Sequence, residues 1–127
     1  MSRFLVDTTF VVDYLRNDAE AVMRYERLFE AGDEVLITEI VVCEAATGAP
    51  QHPDPALAAF MQPVEFVQPG PDAALVAGQW RADARRRGHS LSLADALIAA
   101  AAHSTNATVL TRNVRDFSLT PVRVESY

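Results

Sequence analysis

Lysine is missing altogether from this 127-residue chain: all eleven basic residues are arginine. That excludes any mechanism built on a catalytic lysine, and it excludes the phosphate-binding lysine of a P-loop. Cysteine is nearly missing too. The single Cys43 rules out an internal disulfide framework and a cysteine-based metal centre, and is expected to pack as a small core hydrophobe. No apolar stretch approaches the ~20 residues that cross a bilayer. No charged-then-apolar leader opens the chain either, so a cytoplasmic location with no membrane partner is expected. Positive charge is also in deficit. A net charge of −6 is unlike the basic surface of most proteins that bind polyanions non-specifically, although bound divalent ions can bring positive charge to such a protein locally.

What is present is enough for one domain. Half of the residues are hydrophobic and 22% are charged, the balance of a globular chain long enough to bury a real core. Phe4-Leu5-Val6 runs straight into Asp7 and then Thr8-Thr9, which reads as a buried strand at Arg3–Val6 feeding a helix that starts at Thr8 or Thr9. Asn17-Asp18 ends that helix. A second helix is expected from Ala19 to Ala31, with Val22, Met23, Leu28 and Phe29 on its apolar side and Gly32 as its stop. Glu34–Ile37 reads as a strand, Thr38 as an N-cap, and Glu39–Thr47 as a helix closed by Gly48.

Three prolines between Ala49 and Pro55 allow neither helix nor central strand there, so a surface loop is expected. A short helix at Ala56–Met61 and a strand at Val64–Val67 follow. Asp72 then caps a long helix to Arg87, and Ser92 caps another from Leu93 to Ser104. Thr108–Leu110 is a further strand and Val122–Val124 an edge strand. Strands that alternate with helices need crossover connections, which give a parallel sheet covered on both faces. The expected fold is therefore a single-domain α/β/α sandwich over residues 1–127, with a mainly parallel sheet of four or five strands.

Ligands of such sheets bind beyond the carboxyl ends of the strands, and four acids fall at that rim. Asp7 follows the first strand and Asp116 the fourth. Asp95 sits in the first turn of its helix. Glu44 lies on the helix after the second strand, near the apolar line of Ile40 and Val41. Each has an ordinary structural role open to it: helix-terminus support for Asp7 and Asp95, a turn for Asp116, an arginine partner for Glu44. Together they pose a harder problem. Two unit charges ~4 Å apart cost roughly 4 kcal/mol at an effective dielectric of 20, so a cluster of four stays ionised only with cations in it. Oxygen-only ligands favour Mg²⁺ or Mn²⁺.

The segments FLVDTTFVVDYL (4–15), TEIVVCEAATG (38–48), SLADALIAAAA (92–102) and VLTRNVRDF (109–117) resemble, in order, the four motif regions of PIN-domain ribonucleases. The arrangement is most similar to VapC-type toxins of toxin–antitoxin pairs. The resemblance implies an α/β/α fold and an acidic metal site of Asp7, Glu44, Asp95 and Asp116, supported by Thr9 and by Asn113. Asn113 stands where some relatives carry Asp, and Ala45 where many carry Leu. It further implies Mg²⁺-dependent cleavage of RNA to 5′-phosphate and 3′-hydroxyl ends, a cognate antitoxin that places a basic side chain among the acids, and a homodimer.

Arg112 and Arg115 flank Asn113 and are expected to touch substrate phosphate or to pair with nearby acids. Arg85-Arg86-Arg87 favours the negative end of its helix over RNA contact. Trp80 is expected in the core or a subunit interface, and His52, His89 and His103 lack metal-ligand spacing. Two phosphotransfer classes with an acid after the first strand are disfavoured. A dehalogenase-type phosphatase needs a second acid where Thr9 stands, and both it and a receiver domain need a lysine. A housekeeping RNA-processing nuclease and a non-catalytic PIN-like binding module remain the alternatives.

Overall fold

The computed structural model describes residues 1–127. In chain order the elements are β1 (Arg3–Val6), α1 (Thr8–Leu15), α2 (Ala19–Glu30), β2 (Glu34–Thr38), α3 (Glu39–Thr47), α4 (Pro55–Met61), β3 (Glu65–Val67), α5 (Pro71–Arg86), α6 (Leu93–Ser104), β4 (Thr108–Leu110), α7 (Val114–Phe117) and β5 (Val124–Glu125). The five strands form one sheet in the order β3-β2-β1-β4-β5. Every neighbouring pair is parallel. β1 is thus the central strand, with β2 on one side and β4 on the other.

Short strands with apolar inner residues follow from this position. Leu5, Val6, Leu36, Ile37, Val109 and Leu110 are at 0% exposure, because both faces of a parallel sheet are covered. The chain runs outward from β1 through α1–α4 to β2 and β3, then returns through α5 and α6 to β4 on the other side of β1. The first group of helices packs through aromatic rings. Phe60 stacks on Tyr25 with centroids 4.6 Å apart and meets Tyr14 edge-on at 5.1 Å, and the Tyr25 hydroxyl donates to the Phe60 carbonyl at 2.7 Å. On the opposite face α6 is enclosed from two directions. Ile98, Ala99, Ala101 and Ala102 join the sheet core, while Ala96 and Ala100 pack with Ala73, Ala77 and Ala84 of α5. Trp80 is half-buried between these two clusters, as expected, its ring edge-on to His103 at 5.6 Å.

Several expectations need correction. The buried line of α2 is Ala21, Tyr25 and Leu28, whereas Met23 and Phe29 are exposed. Tyr25 wins because its ring and hydroxyl both find partners in α4. Cys43 is exposed, on the side of α3 away from buried Val41 and Ala45. α5 starts at Pro71, one residue before Asp72, with Gly70 as its N-cap at φ +85. That left-handed backbone suits glycine, and a proline is tolerated at the first helical position, where its N–H would be unpaired anyway. Thr38 does occupy the N-cap of α3 but makes no capping bond.

Phe60→Ala is expected to cost about 3–5 kcal/mol in denaturant unfolding, as for other buried aromatic truncations. Met23→Ala should stay within about 0.5 kcal/mol, the usual range of surface changes. Equal losses at the two positions would contradict this reading of α2 and its neighbours.

Candidate active site

The central strand delivers Asp7 to the carboxyl rim, and the backbone turns there. Asp7 is the N-cap of α1, with extended φ and ψ of −89° and 176°. Its Oδ1 accepts the Phe10 N–H at 2.9 Å. Its Oδ2 accepts the Thr9 hydroxyl at 2.6 Å and the Thr111 hydroxyl. The residue is only 3% exposed. Burial pushes its pKa above the ordinary 3.8, even though all three donors pull it down. A buried acid held this firmly has one geometry.

β4 brings the second group. Thr111 follows that strand and is completely buried. Its hydroxyl oxygen also accepts the Asn113 N–H at 2.8 Å, so one threonine ties Asp7 to the start of α7. The Asn113 amide donates to Thr9 Oγ1 at 3.4 Å. Asp116 lies in the first turn of α7, anchored by the neighbouring Phe117 at 0% exposure. Asp116 itself faces solvent.

Asp95 enters from α6. Ser92 caps that helix by accepting the Asp95 N–H at 3.0 Å, leaving the Asp95 side chain half-buried at the first turn. Its pKa is raised, first by burial and then by the negative charges of Asp116, Asp7 and Glu44, against the lowering effect of Ser92. Asp95 therefore feels all three other acids. Glu44 is more exposed than its helical spacing suggested. It lies at the margin of the apolar face of α3 and accepts the Thr8 hydroxyl at 2.5 Å.

No arginine answers these charges. The seven ion pairs of the protein use Asp13, Asp18, Glu20, Glu34, Glu65, Asp83 and Glu125, and none involves Asp7, Glu44, Asp95 or Asp116. The donors are oxygens throughout, which fits a hard divalent cation by type. As they lie, however, no three acids, histidines or cysteines stand close enough to grip an ion. Asp7 is turned to its threonines and Glu44 to Thr8, so the acids are near enough for three of them to act on Asp95 without closing into a cage.

Two residues of this network escaped the sequence reading. Thr8 was expected only to start a helix, and Thr111 was given no role. The hydroxyl pair after Asp7 and the TRN segment after β4 were the available signals. Arg112 takes the second of the two roles open to it, pairing with nearby acids. It is bound to Asp13 at 3.1 Å and Asp18 at 2.8 Å and is not free for phosphate. Arg115 is exposed and forms no ion pair. Arg86 pairs with Asp83 and Arg87 reaches the Asp83 carbonyl at 3.4 Å, in keeping with a helix-terminal role. A separate cavity of about 260 Å³ lies between the start of α3, Pro69–Pro71 and α6, and none of the four acids lines it.

A rim of acids on a parallel five-stranded α/β/α sheet defines a class that comparison makes specific. Residues 4–121 match the PIN domain family model, and the chain belongs to that family. It is 33% identical over 117 residues to Ribonuclease VapC19 of Mycobacterium tuberculosis, covering 92% of this chain and 94% of the relative. It is 28% identical to the tRNA(fMet)-specific endonuclease VapC of Salmonella typhimurium, covering 100% and 99%. Among solved structures, DNA-bound VapBC from Salmonella typhimurium superposes with a TM-score of 0.80 at 28% identity, covering 99% and 98%. VapBC2 from Rickettsia felis, bound to a promoter DNA fragment, gives 0.85 at 20% identity, with 98% of each chain covered.

The raised Asp95 pKa has a definite sign in stability. Without divalent cations the fold resists ionising this acid, so its contribution falls as pH rises above the ordinary 3.8. Replacement by a neutral isostere removes the penalty. Asp95→Asn is therefore expected to raise Tm in EDTA near neutral pH and to lose that advantage as pH falls below the ordinary 3.8, where the acid is protonated in folded and unfolded chains alike. Added Mg²⁺ should stabilise the wild type and leave the variant unmoved. Thermal scans with and without the ion check both.

Proposed function

We propose that this chain is a Mg²⁺-dependent endoribonuclease acting as the toxin of a toxin–antitoxin pair. One observation carries the reading. Four acids at the sheet rim, three of them sensed by the fourth, have no basic partner in a chain with eleven arginines. The family and its named ribonuclease relatives support the reaction type. The VapBC complexes support an antitoxin partner.

Asp7 and Asp95 would hold the ion between them, with Glu44 and Asp116 completing the acidic ring. Mn²⁺ would serve with the same donors. The bound ion would supply an activated water and countercharge for the scissile phosphate. Thr9 and Thr111 hold the Asp7 carboxylate in one orientation, so little of it needs to be ordered when substrate arrives. Glu44, the more accessible carboxylate, would ligate the ion or accept the proton of the attacking water. Asn113 supports Thr9 from the opposite side. Arg115, free of any acid, would meet phosphate next to the site. An antitoxin arginine entering the ring would replace the missing positive charge and block the site. A homodimer would cover the exposed Leu75 and Leu93, which are 73% and 56% accessible.

Wild-type protein is expected to cut RNA only with Mg²⁺ or Mn²⁺ and to leave 5′-phosphate ends. Asp7→Asn and Asp95→Asn should each lower the rate about 100-fold or more, as loss of a group needed in the transition state does. Sequencing RNA 5′ ends after induced expression reports activity and cut site together. Equal cleavage by wild type and both variants would overturn the proposal, as would activity that survives chelation.

A further inference from the structure

Arg112 occupies the middle of the segment that carries Thr111 and Asn113, yet its side chain points away from them. Its guanidinium spans two helices, binding Asp13 Oδ2 of α1 at 3.1 Å and Asp18 Oδ2 at the N-cap of α2 at 2.8 Å. Glu20 lies further out at 3.9 Å. The plane of the guanidinium sits over the Tyr127 ring, 4.4 Å from its centroid. The Tyr127 hydroxyl donates to the same Asp13 oxygen at 2.5 Å. The Tyr127 ring in turn meets Phe10 edge-on at 4.9 Å, and the Phe10 N–H holds Asp7.

These contacts close a circuit. From Asp7 it runs through Thr111 to the backbone of Arg112, across the guanidinium to Asp13 and Tyr127, and back through Phe10 to Asp7. Thr111 is buried against Asp7, while Arg112, at the bend that follows, reaches outward, so one residue grips the buried acid and the next grips the helices behind it. The short loop leading to Asn113 and Asp116 is pinned from both sides. A lysine has no planar fork with which to bridge two carboxylates and stack on a ring together.

We propose that Arg112 is a positioning residue for the candidate metal site, clamping residues 111–116 against α1 so that Asp116 and Asn113 keep their register with Asp7 and Asp95. The inference rests on the nuclease reading for its kinetic consequence but not for the clamp itself. Arg115, with no acid to hold it, keeps the phosphate-contacting role.

The test compares Arg112→Gln, Arg112→Lys, Tyr127→Leu and Arg115→Gln in two independent measurements. The first is amide hydrogen exchange over residues 111–116 in metal-free protein, which needs no activity. Arg112→Gln and Tyr127→Leu should each speed exchange there about tenfold or more, as expected for a locally opened segment, while Arg115→Gln should not. The second is steady-state cleavage of a short RNA. Loss of the clamp should lower kcat about 10- to 100-fold, the scale of small misplacements, with KM little changed and the Mg²⁺ concentration for half-maximal rate increased. Arg112→Lys should recover part of the loss. The double variant should be little worse than either single one, because both open the same circuit.

Arg115→Gln should instead raise KM and weaken its salt dependence. If Arg112→Gln raises KM alone while Tyr127→Leu is silent, Arg112 touches substrate and the clamp is refuted. Unchanged exchange in both clamp variants refutes it as well. Should the wild type cut no RNA, the nuclease reading fails while the exchange data still decide the clamp. Tyr127→Phe removes only the hydroxyl. If the larger changes unfold the protein, Tyr127→Phe should still speed exchange over 111–116, and unchanged exchange in it would overturn the clamp.

Discussion

Like charges at the end of a parallel sheet repel one another, and in this protein nothing basic relieves them. Asp7, Glu44, Asp95 and Asp116 reach the rim from four different elements, while the arginines are committed to other acids or to solvent. The fold tolerates the arrangement because the rest of it is over-determined. β1 lies between two parallel neighbours, and its last residues are wholly buried. The acid that follows them is held by a backbone N–H and two hydroxyls. Stability elsewhere maintains a local electrostatic conflict that a divalent ion would resolve.

The conflict also explains why the site is open rather than a finished cage. Two of the carboxylates have found uncharged donors: Thr9 and Thr111 satisfy Asp7, and Thr8 occupies Glu44. Hydroxyl donors are compatible with ion binding because a hydroxyl can rotate away without leaving a charge behind. An arginine in the same place would have settled the charge and competed with the metal.

Most of the fold could be read from the chain because its local signals agree with one another. Apolar runs of three or four residues followed by capping residues located β1, β4 and α6 to the residue. Glycines and prolines placed the loops. The errors arose where tertiary contacts overrode local pattern. Met23 and Phe29 have the right character for a core, but Tyr25 fills that place through its contact with Phe60. Four-residue α7 carries too short a pattern to register as a helix. The acids stood out as a set because each alone has an ordinary structural role, whereas four at one rim pose a charge problem that no one of them poses. Their distances were not legible, since rotamers depend on neighbours such as Thr8 and Thr111 that no spacing rule singles out. Arg112 shows the same limit: an arginine beside an acidic site suggests phosphate, and only the fold reveals two carboxylates and a tyrosine already on it.

The alanines of α6 have a bearing on how such a site changes over time. That helix is wedged between the sheet and α5, and its inner positions, Ala96 and Ala99 through Ala102, are nearly inaccessible. Apart from Ile98, the spacers between this helix and the sheet are alanine methyl groups, so the two lie close together. Asp95 rides on the first turn of this helix, so its separation from Asp7 is determined by side chains that never touch either acid. A single added methylene along that seam would act as a shim and shift the carboxylate outward. The placement of an acid at the rim can therefore be altered from a buried seam, with every rim residue left in place.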